Sequence, residues 1–234
     1  MYRDGTKIGQ TLEALVSFLN EENLKAEIIV VNDGGQDDGT EKVREKMRAY
    51  PIIKLIDRKI NRGKGFSVRE GLAASKGDFA FYTDADLPYL TNPIKEMMQC
   101  LKRGEADLVL ANRELSIDTI KKKPNLFRQM THIMYSYLVR MLIPIPFSDT
   151  LAGLKAMNRK TLQKIIPKLT IDRFSFDVEL ILAAQKAGCV IKEIPVALKN
   201  VGKSNLSIRR DAPKMLWEVI RICLRNKKGL YESG

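Results

Sequence analysis

The chain has 234 residues, 44% of them hydrophobic, enough to close one good-sized core, whereas two domains would each be small. Lysine and arginine number 40 against 28 acidic residues, a formal charge of +12, which favours anionic partners: nucleic acid, anionic lipid or a phosphorylated substrate. Three scattered cysteines, Cys100, Cys189 and Cys223, have no metal-ligand spacing and argue against a disulfide scaffold, fitting a reduced cytosolic setting.

The N-terminus shows no apolar targeting segment. Helical spacing of Ile8, Leu12, Leu15, Val16 and Leu19 predicts a helix over 5–20. A β-branched strand over 27–31 runs into Asn32-Asp33-Gly34-Gly35. A helix over 40–50 stops before Pro51, and a strand follows over 52–56. The loop Asn61-Arg62-Gly63-Lys64-Gly65 leads into a helix through Ala74, and a strand over 78–83 ends in Asp84-Ala85-Asp86. A helix over 92–102 and a strand over 107–111 complete an alternation with continuously apolar strands, the mark of a largely parallel α/β sheet flanked by helices. Beyond the basic loop Lys121-Lys122-Lys123-Pro124, helices are predicted over 127–143, 175–187 (closed by Gly188) and 212–224, with a strand over 190–196. The most apolar stretch, 133–147, is broken by Tyr135, Ser136, Arg140, Pro144 and Pro146. It falls short of the about 20 residues that span a bilayer, so a soluble or peripheral chain is expected.

In parallel α/β sheets ligands bind beyond the carboxyl ends of strands. Asp84 and Asp86 stand at such an end, spaced to face one divalent cation on diphosphate oxygens, and Mg²⁺ or Mn²⁺ suits so few carboxylates. The single histidine, His132, makes a zinc site improbable and reads as structural. The plain alternative is that Asp86 caps a helix starting near Pro88. Asp33 could bond a base or ribose edge, with Gly34 and Gly35 admitting a ligand to the backbone; Lys64 could neutralise a diphosphate. Each alone could be an ordinary turn or a solvated lysine. The ordered set of three strand-end loops is far more specific.

Val30-Val31-Asn32-Asp33-Gly34, Asn61-Arg62-Gly63-Lys64-Gly65, Asp84-Ala85-Asp86-Leu87 and Asp149-Thr150-Leu151-Ala152-Gly153-Leu154-Lys155 together resemble the inverting family 2 glycosyltransferases. The similarity is greatest to the branch of dolichyl-phosphate glucosyltransferases and mannose synthases. Arg173-Phe174-Ser175-Phe176-Asp177-Val178-Glu179-Leu180 and Ser207-Ile208-Arg209-Arg210-Asp211 extend it over nearly the whole chain. The resemblance implies a GT-A fold over 1–210, followed by an amphipathic helix and basic tail over 211–234. It further implies a nucleotide-sugar donor (UDP-glucose, slightly preferred, or GDP-mannose), Mg²⁺ or Mn²⁺, and a polyprenyl phosphate acceptor. Carried over, Asp33 and Gly34 meet the nucleoside, Asp84 the ribose or diphosphate side, Lys64 the diphosphate, and Asp86, with Asp84, the metal. Arg113 and Arg128 receive the acceptor phosphate, a task their planar forks suit. Asp149 and Lys155 lie in the acceptor-side loop, and Asp177 orients the acceptor or lines the sugar pocket, unless it and Glu179 merely begin a helix.

Family members open with a strand ending in Pro-X-Tyr-Asn-Glu. Here Met1-Tyr2-Arg3-Asp4 falls inside that motif, so the first strand is expected to be missing and the sheet to carry an open slot. Gly35 stands where serine is usual and Pro88 where glutamine is. Three alternatives follow: a family 2 enzyme acting on a hydroxyl with Asp177 as base, an inactive nucleotide-sugar binder, and a basic nucleic-acid-binding protein. Only net charge supports the last. The apolar faces of the 127–143 and 212–224 helices, beside basic clusters, fit either core packing or a peripheral seat on the cytoplasmic face of a membrane.

Overall fold

The computed structural model describes residues 1–2, 5–87, 91–116, 126–197 and 208–232, without the side chains of 6, 126–133 and 208–210. The basic loop at 121–124, Asp4, Pro88, and the side chains of Arg128, His132, Arg209 and Arg210 therefore lie outside the described part.

The chain runs α1 (Gly5–Glu21), β1 (Ile28–Asp33), α2 (Gly39–Ala49), β2 (Ile53–Arg58), α3 (Lys64–Ala74), β3 (Phe79–Tyr82), α4 (Asn92–Lys102) and β4 (Leu108–Asn112). It continues through α5 (Leu126–Leu142), β5 (Lys155–Asn158), α6 (Arg159–Ile165), a short 3-10 turn, α7 (Phe176–Lys186), β6 (Ile191–Pro195) and α8 (Ile208–Lys227). The sequence pattern finds all of these except β5 and α6. It starts the last helix at 212, whereas α8 begins at Ile208 and carries Pro213 inside it, where the ring removes the N–H that would reach back one turn and weakens the start of the helix.

Two sheets form, sharing no hydrogen bonds among the described residues: β1-β2, parallel, and β3-β5-β4-β6. In the second, β4 and β6 are parallel while β5 runs antiparallel to both neighbours. One reversed strand is thus the departure from a parallel sheet. Met1 lies along the edge of β1 opposite β2: its amino group donates to Val31 O, and Asp33 N donates to Met1 O at 2.9 Å. Helix α3 contacts both β1 and β3 and so joins the two sheets.

Ile8, Leu12 and Val16 of α1 close over Val30, Val43 and Ile53 in a small core beneath the first sheet. The larger core collects Leu108 and Leu110 of β4, Val139 and Ile143 at the end of α5, Val219 and Ile222 of α8, and most of α7. Every residue of α7 from Phe176 to Ala184 is buried, Asp177 and Glu179 included. A helix buried all round belongs in a core, and its two carboxylates must find donors there.

Glu179 finds four: Thr170 N and Ile171 N at 2.8 Å, Thr170 Oγ1 at 3.0 Å and Tyr231 Oη at 2.8 Å. Tyr231 is itself fully buried, and Lys168 Nζ donates to the carbonyls of Tyr231 and Glu232. The segment after α8 therefore folds back and fastens that helix to the core. Tyr231→Ala is expected to cost about 3–5 kcal/mol in urea unfolding through the cavity it leaves. Tyr231→Phe, which removes the donor to Glu179 and the acceptor of Arg225 Nε, should cost about 1–3 kcal/mol.

Candidate active site

The site is assembled at the carboxyl ends of β1 and β3. Asp33, last residue of β1, is 4% exposed. Its Oδ1 accepts from Arg58 Nη2 and Arg62 N, and its Oδ2 from Gly63 N, each at 2.8 Å. Asn61 Nδ2 donates to its carbonyl at 3.0 Å. Gly34 has φ +72°, and a Cβ there would stand 2.6 Å from Asn61 N, so its freedom serves a close approach of two backbone segments. Asp33 and Gly34, read from sequence as nucleoside contacts, here hold the loop that delivers Lys64.

Lys64 opens α3, and its Nζ stands 3.1 Å from Asp84 Oδ1 and 3.5 Å from Asp177 Oδ2. Asp84 to Leu87 form a turn closed by Leu87 N donating to Asp84 O at 3.0 Å, with Leu87 in the left-handed region at φ +38°. Such conformations cost of order 1 kcal/mol or more and persist where surroundings impose them. Asp86 does not cap the next helix, which begins at Asn92 after Thr91. It pairs with Lys7 of α1 at 3.1 Å. Gly153 faces Asp84 so closely that any β-carbon there would collide with the carboxylate.

Behind Lys64 lies a fully buried ion pair. Lys155 of β5 is 0% exposed; its Nζ donates to Asp177 Oδ1 at 2.7 Å, Ala152 O at 2.7 Å and Thr150 O at 3.1 Å. Three acceptors match the three N–H bonds of an ammonium. Tyr82 Oη also donates to Asp177 Oδ1, at 2.5 Å. Burial pushes the Asp177 carboxyl up, but the charges of Lys155 and Lys64 and these hydrogen bonds outweigh it and hold the group below its ordinary value.

Arg113, beyond β4, grips the buried Asp149 as a fork, Nε to Oδ2 at 2.7 Å and Nη2 to Oδ1 at 2.6 Å, while its amide donates to Oδ2 at 2.9 Å. Asp149 begins the loop whose carbonyls at Thr150 and Ala152 hold Lys155, so the arginine and the ion pair share one support. Helix α5 carries Arg128 in its first turn. The structure thus joins Lys64, Asp84, Asp177 and Lys155, sets Asp86 two residues on from Asp84, and puts Asp33 behind the Lys64 loop.

Two partly exposed carboxylates, each facing an ammonium, form a donor set that suits a hard divalent cation completed by substrate phosphates. No group of three or more His, Cys, Asp or Glu able to hold a metal occurs among the described residues.

Fold and site define an enzyme that moves sugars from nucleotide donors, of the GT-A class. A family model described as glycosyl transferase family 2 matches residues 2–166, and the chain belongs to that family. It is similar to a dolichyl-phosphate beta-glucosyltransferase of Dictyostelium discoideum, 28% identical over 242 residues, covering 99% of this chain and 74% of the relative. A dolichyl-phosphate beta-glucosyltransferase of Saccharomyces cerevisiae is 27% identical over 251 residues, covering 100% and 75%. Among solved structures, mannosyl-3-phosphoglycerate synthase from Rubrobacter xylanophilus matches with TM-score 0.70 at 16% identity, covering 98% of this chain and 73% of that one. Glucosyl-3-phosphoglycerate synthase from Mycobacterium tuberculosis, in complex with Mn²⁺, UDP and phosphoglyceric acid, matches with TM-score 0.65 at 17% identity, covering 96% and 75%. These structures share the fold.

Sequence reading passes over Tyr82 and Lys7, and quotes Gly153 only within a motif, without its contact to Asp84. Only Tyr82 leaves a usable sign, since strand alternation turns it and Asp84 to the same side. Gly153→Ala should leave the fold intact and weaken Mn²⁺ binding by about tenfold or more, ~1.4 kcal/mol, measured by calorimetric titration. Lys155→Met, which leaves Asp177 buried with a weaker partner, should lose about 3–5 kcal/mol of stability, and Lys155→Met with Asp177→Leu should recover most of it. Because the folded carboxyl is held low, the contribution of Asp177 is complete above its unfolded value of about 3.9. It is lost as pH falls through the lower folded value, so Asp177→Asn should flatten the acid-unfolding curve below that pH.

Proposed function

We propose that the chain transfers glucose from UDP-glucose to a dolichyl-type polyprenyl phosphate, with inversion at the anomeric carbon. The observation that carries this reading is the state of Asp177. A transferase acting on a hydroxyl needs a base, and Asp177, the candidate from sequence, is buried, held ionised and committed to Lys155, Lys64 and Tyr82. A phosphate monoester, with its second pKa near 6, is largely dianionic at neutral pH and brings its own nucleophile. The chain's task is then to position two anions and cancel their charge.

In this reading Asp84 and Asp86 hold Mg²⁺ or Mn²⁺, which when bound supplies positive charge to the leaving diphosphate. Lys64, held forward by Asp33 and Gly34, adds charge on the same side. Arg113, oriented by Asp149, and Arg128 meet the acceptor phosphate. Asp177 keeps Lys64 and the Lys155 support in register. The curated relatives named as dolichyl-phosphate beta-glucosyltransferases and the UDP and Mn²⁺ in the mycobacterial neighbour support the donor, the metal and the acceptor. Because a polyprenyl phosphate lives in a bilayer, the enzyme works on a membrane surface, on the cytoplasmic side in our reading. Among the described residues no helix is long and apolar enough to cross a membrane, while Met134, Tyr137 and Met141 stand exposed along α5.

The test is transfer of labelled sugar to a short-chain polyprenyl phosphate, with UDP-glucose and GDP-mannose offered separately. Product is expected from UDP-glucose, abolished by EDTA and restored by Mg²⁺ or Mn²⁺, with kcat/KM reduced by about a hundredfold or more in Asp86→Ala, ~2.7 kcal/mol. Glucose transfer to a saccharide hydroxyl and none to the phosphate would instead favour the hydroxyl-acceptor reading.

A further inference from the structure

Between the 170–173 loop and α8 runs a groove of about 480 Å³ bordered by Asp172, Arg173, Lys214, Trp217, Glu218 and Arg221. Lys214, Trp217 and Arg221 follow one another at i, i+3 and i+7, one stripe of the helix. Arg173 stands close enough to Glu218 for its charge and backbone N–H to act on that carboxylate, while Lys214 and Arg221 share the groove with no acid within ion-pair distance among the described residues. The acids beside them are committed: Asp172 to Arg69 at 2.6 Å, and Glu218 to Ser175 N at 3.2 Å. Burial pushes the Glu218 carboxyl above its ordinary value, against its hydrogen bonds from Ser175 and the charge of Arg173.

The rim is apolar. Trp217 is 64% exposed, and Leu216 and Leu224 stand out on the same helix. Helix α5 packs against α8, and the two bury their inner faces in one core, while Met134, Tyr137 and Met141 stand exposed on α5. A groove of basic side chains with an aromatic and aliphatic rim fits an amphiphilic anion. Indole rings settle at the headgroup level of a bilayer while basic residues bind its phosphates.

We infer that this groove is a headgroup site for an anionic phospholipid of the bilayer, separate from the acceptor phosphate site, and that it seats α8 on the membrane with Trp217 as anchor. The inference rests on the proposed work at a membrane surface. It also has a route to the chemistry, because the 170–173 loop supports the Lys64 loop: Phe66 N donates to Asp172 O at 3.0 Å, and Arg69 grips the Asp172 carboxylate.

Trp217 is the only tryptophan of the chain, so its fluorescence reports this groove alone. The full chain is mixed with phosphatidylcholine vesicles, with and without phosphatidylglycerol, and followed by sedimentation and emission. Expected are sedimentation and a blue shift only with phosphatidylglycerol, quenching by brominated acyl chains, and binding weakened about tenfold or more in Lys214→Gln/Arg221→Gln. Transfer to a short, water-soluble polyprenyl phosphate should persist in that variant, which separates this proposal from the proposed function: loss of transfer in the unaltered chain sinks the function, not the groove. Unchanged vesicle binding by the variant, sedimentation without a Trp217 shift, or no sedimentation of a folded chain overturns the inference. A Trp217 shift with the soluble polyprenyl phosphate alone also overturns it, by assigning the groove to the acceptor.

Discussion

Burying a lysine and an aspartate together costs both their hydration, and the interior returns it only when each charge has a partner and its remaining donors and acceptors are met. Lys155 and Asp177 meet that condition through Thr150 O, Ala152 O and Tyr82 Oη. The elements so tied are β5, the loop from Asp149 to Gly153, the end of β3 and the start of α7. Asp84, Lys64 and Arg113 all hang from those four. The pair is therefore the joint through which Lys64 and Asp84 on one side and Arg113 on the other keep a fixed separation, and its strength lies in the cost of breaking it more than in its own attraction.

This joint is where sequence reading runs out. Apolar continuity in Leu108-Val109-Leu110-Ala111, β-branched Ile28-Ile29-Val30-Val31 and the helical periods made most elements legible, because one physical rule dominates each. Residues Lys155–Asn158 form a central strand with a lysine at its head, and a central buried lysine contradicts what composition predicts. Only its partner, twenty-two residues on and in a helix, makes it affordable, and no local pattern shows a partner. The short helix after β5 is capped by Asn158 Oδ1 accepting from Thr161 N at 2.8 Å, too brief a signal to stand beside apolar periodicity.

The candidate site was legible as a set of loops, less so in the part each residue takes. Lys64 meets Asp84 beyond the strand ends, while Asp86, two residues on, turns to Lys7 of α1. Asp33 shares that kind of position, yet its two oxygens serve Arg58 and the amides of Arg62 and Gly63. A carboxylate at a strand end reads the same in sequence whether it faces a ligand or the chain's own amides. What decides is the left-handed turn at Gly34, which brings Asn61 against the backbone and shuts the carboxylate in.

The two lysines on the Asp-X-Asp turn have an effect that reaches past contact distance. A nucleoside diphosphate approaching bare carboxylates would be repelled over roughly the 8 Å Debye length of physiological salt. With Lys7 on Asp86 and Lys64 on Asp84, that local field is cancelled, and the surplus of +12 leaves a net attraction for a polyanion. Encounter is steered by the whole chain and unopposed at the pocket mouth. In the proposed reading, a diphosphate reaching this turn would offer each lysine a new partner and so uncover the carboxylates.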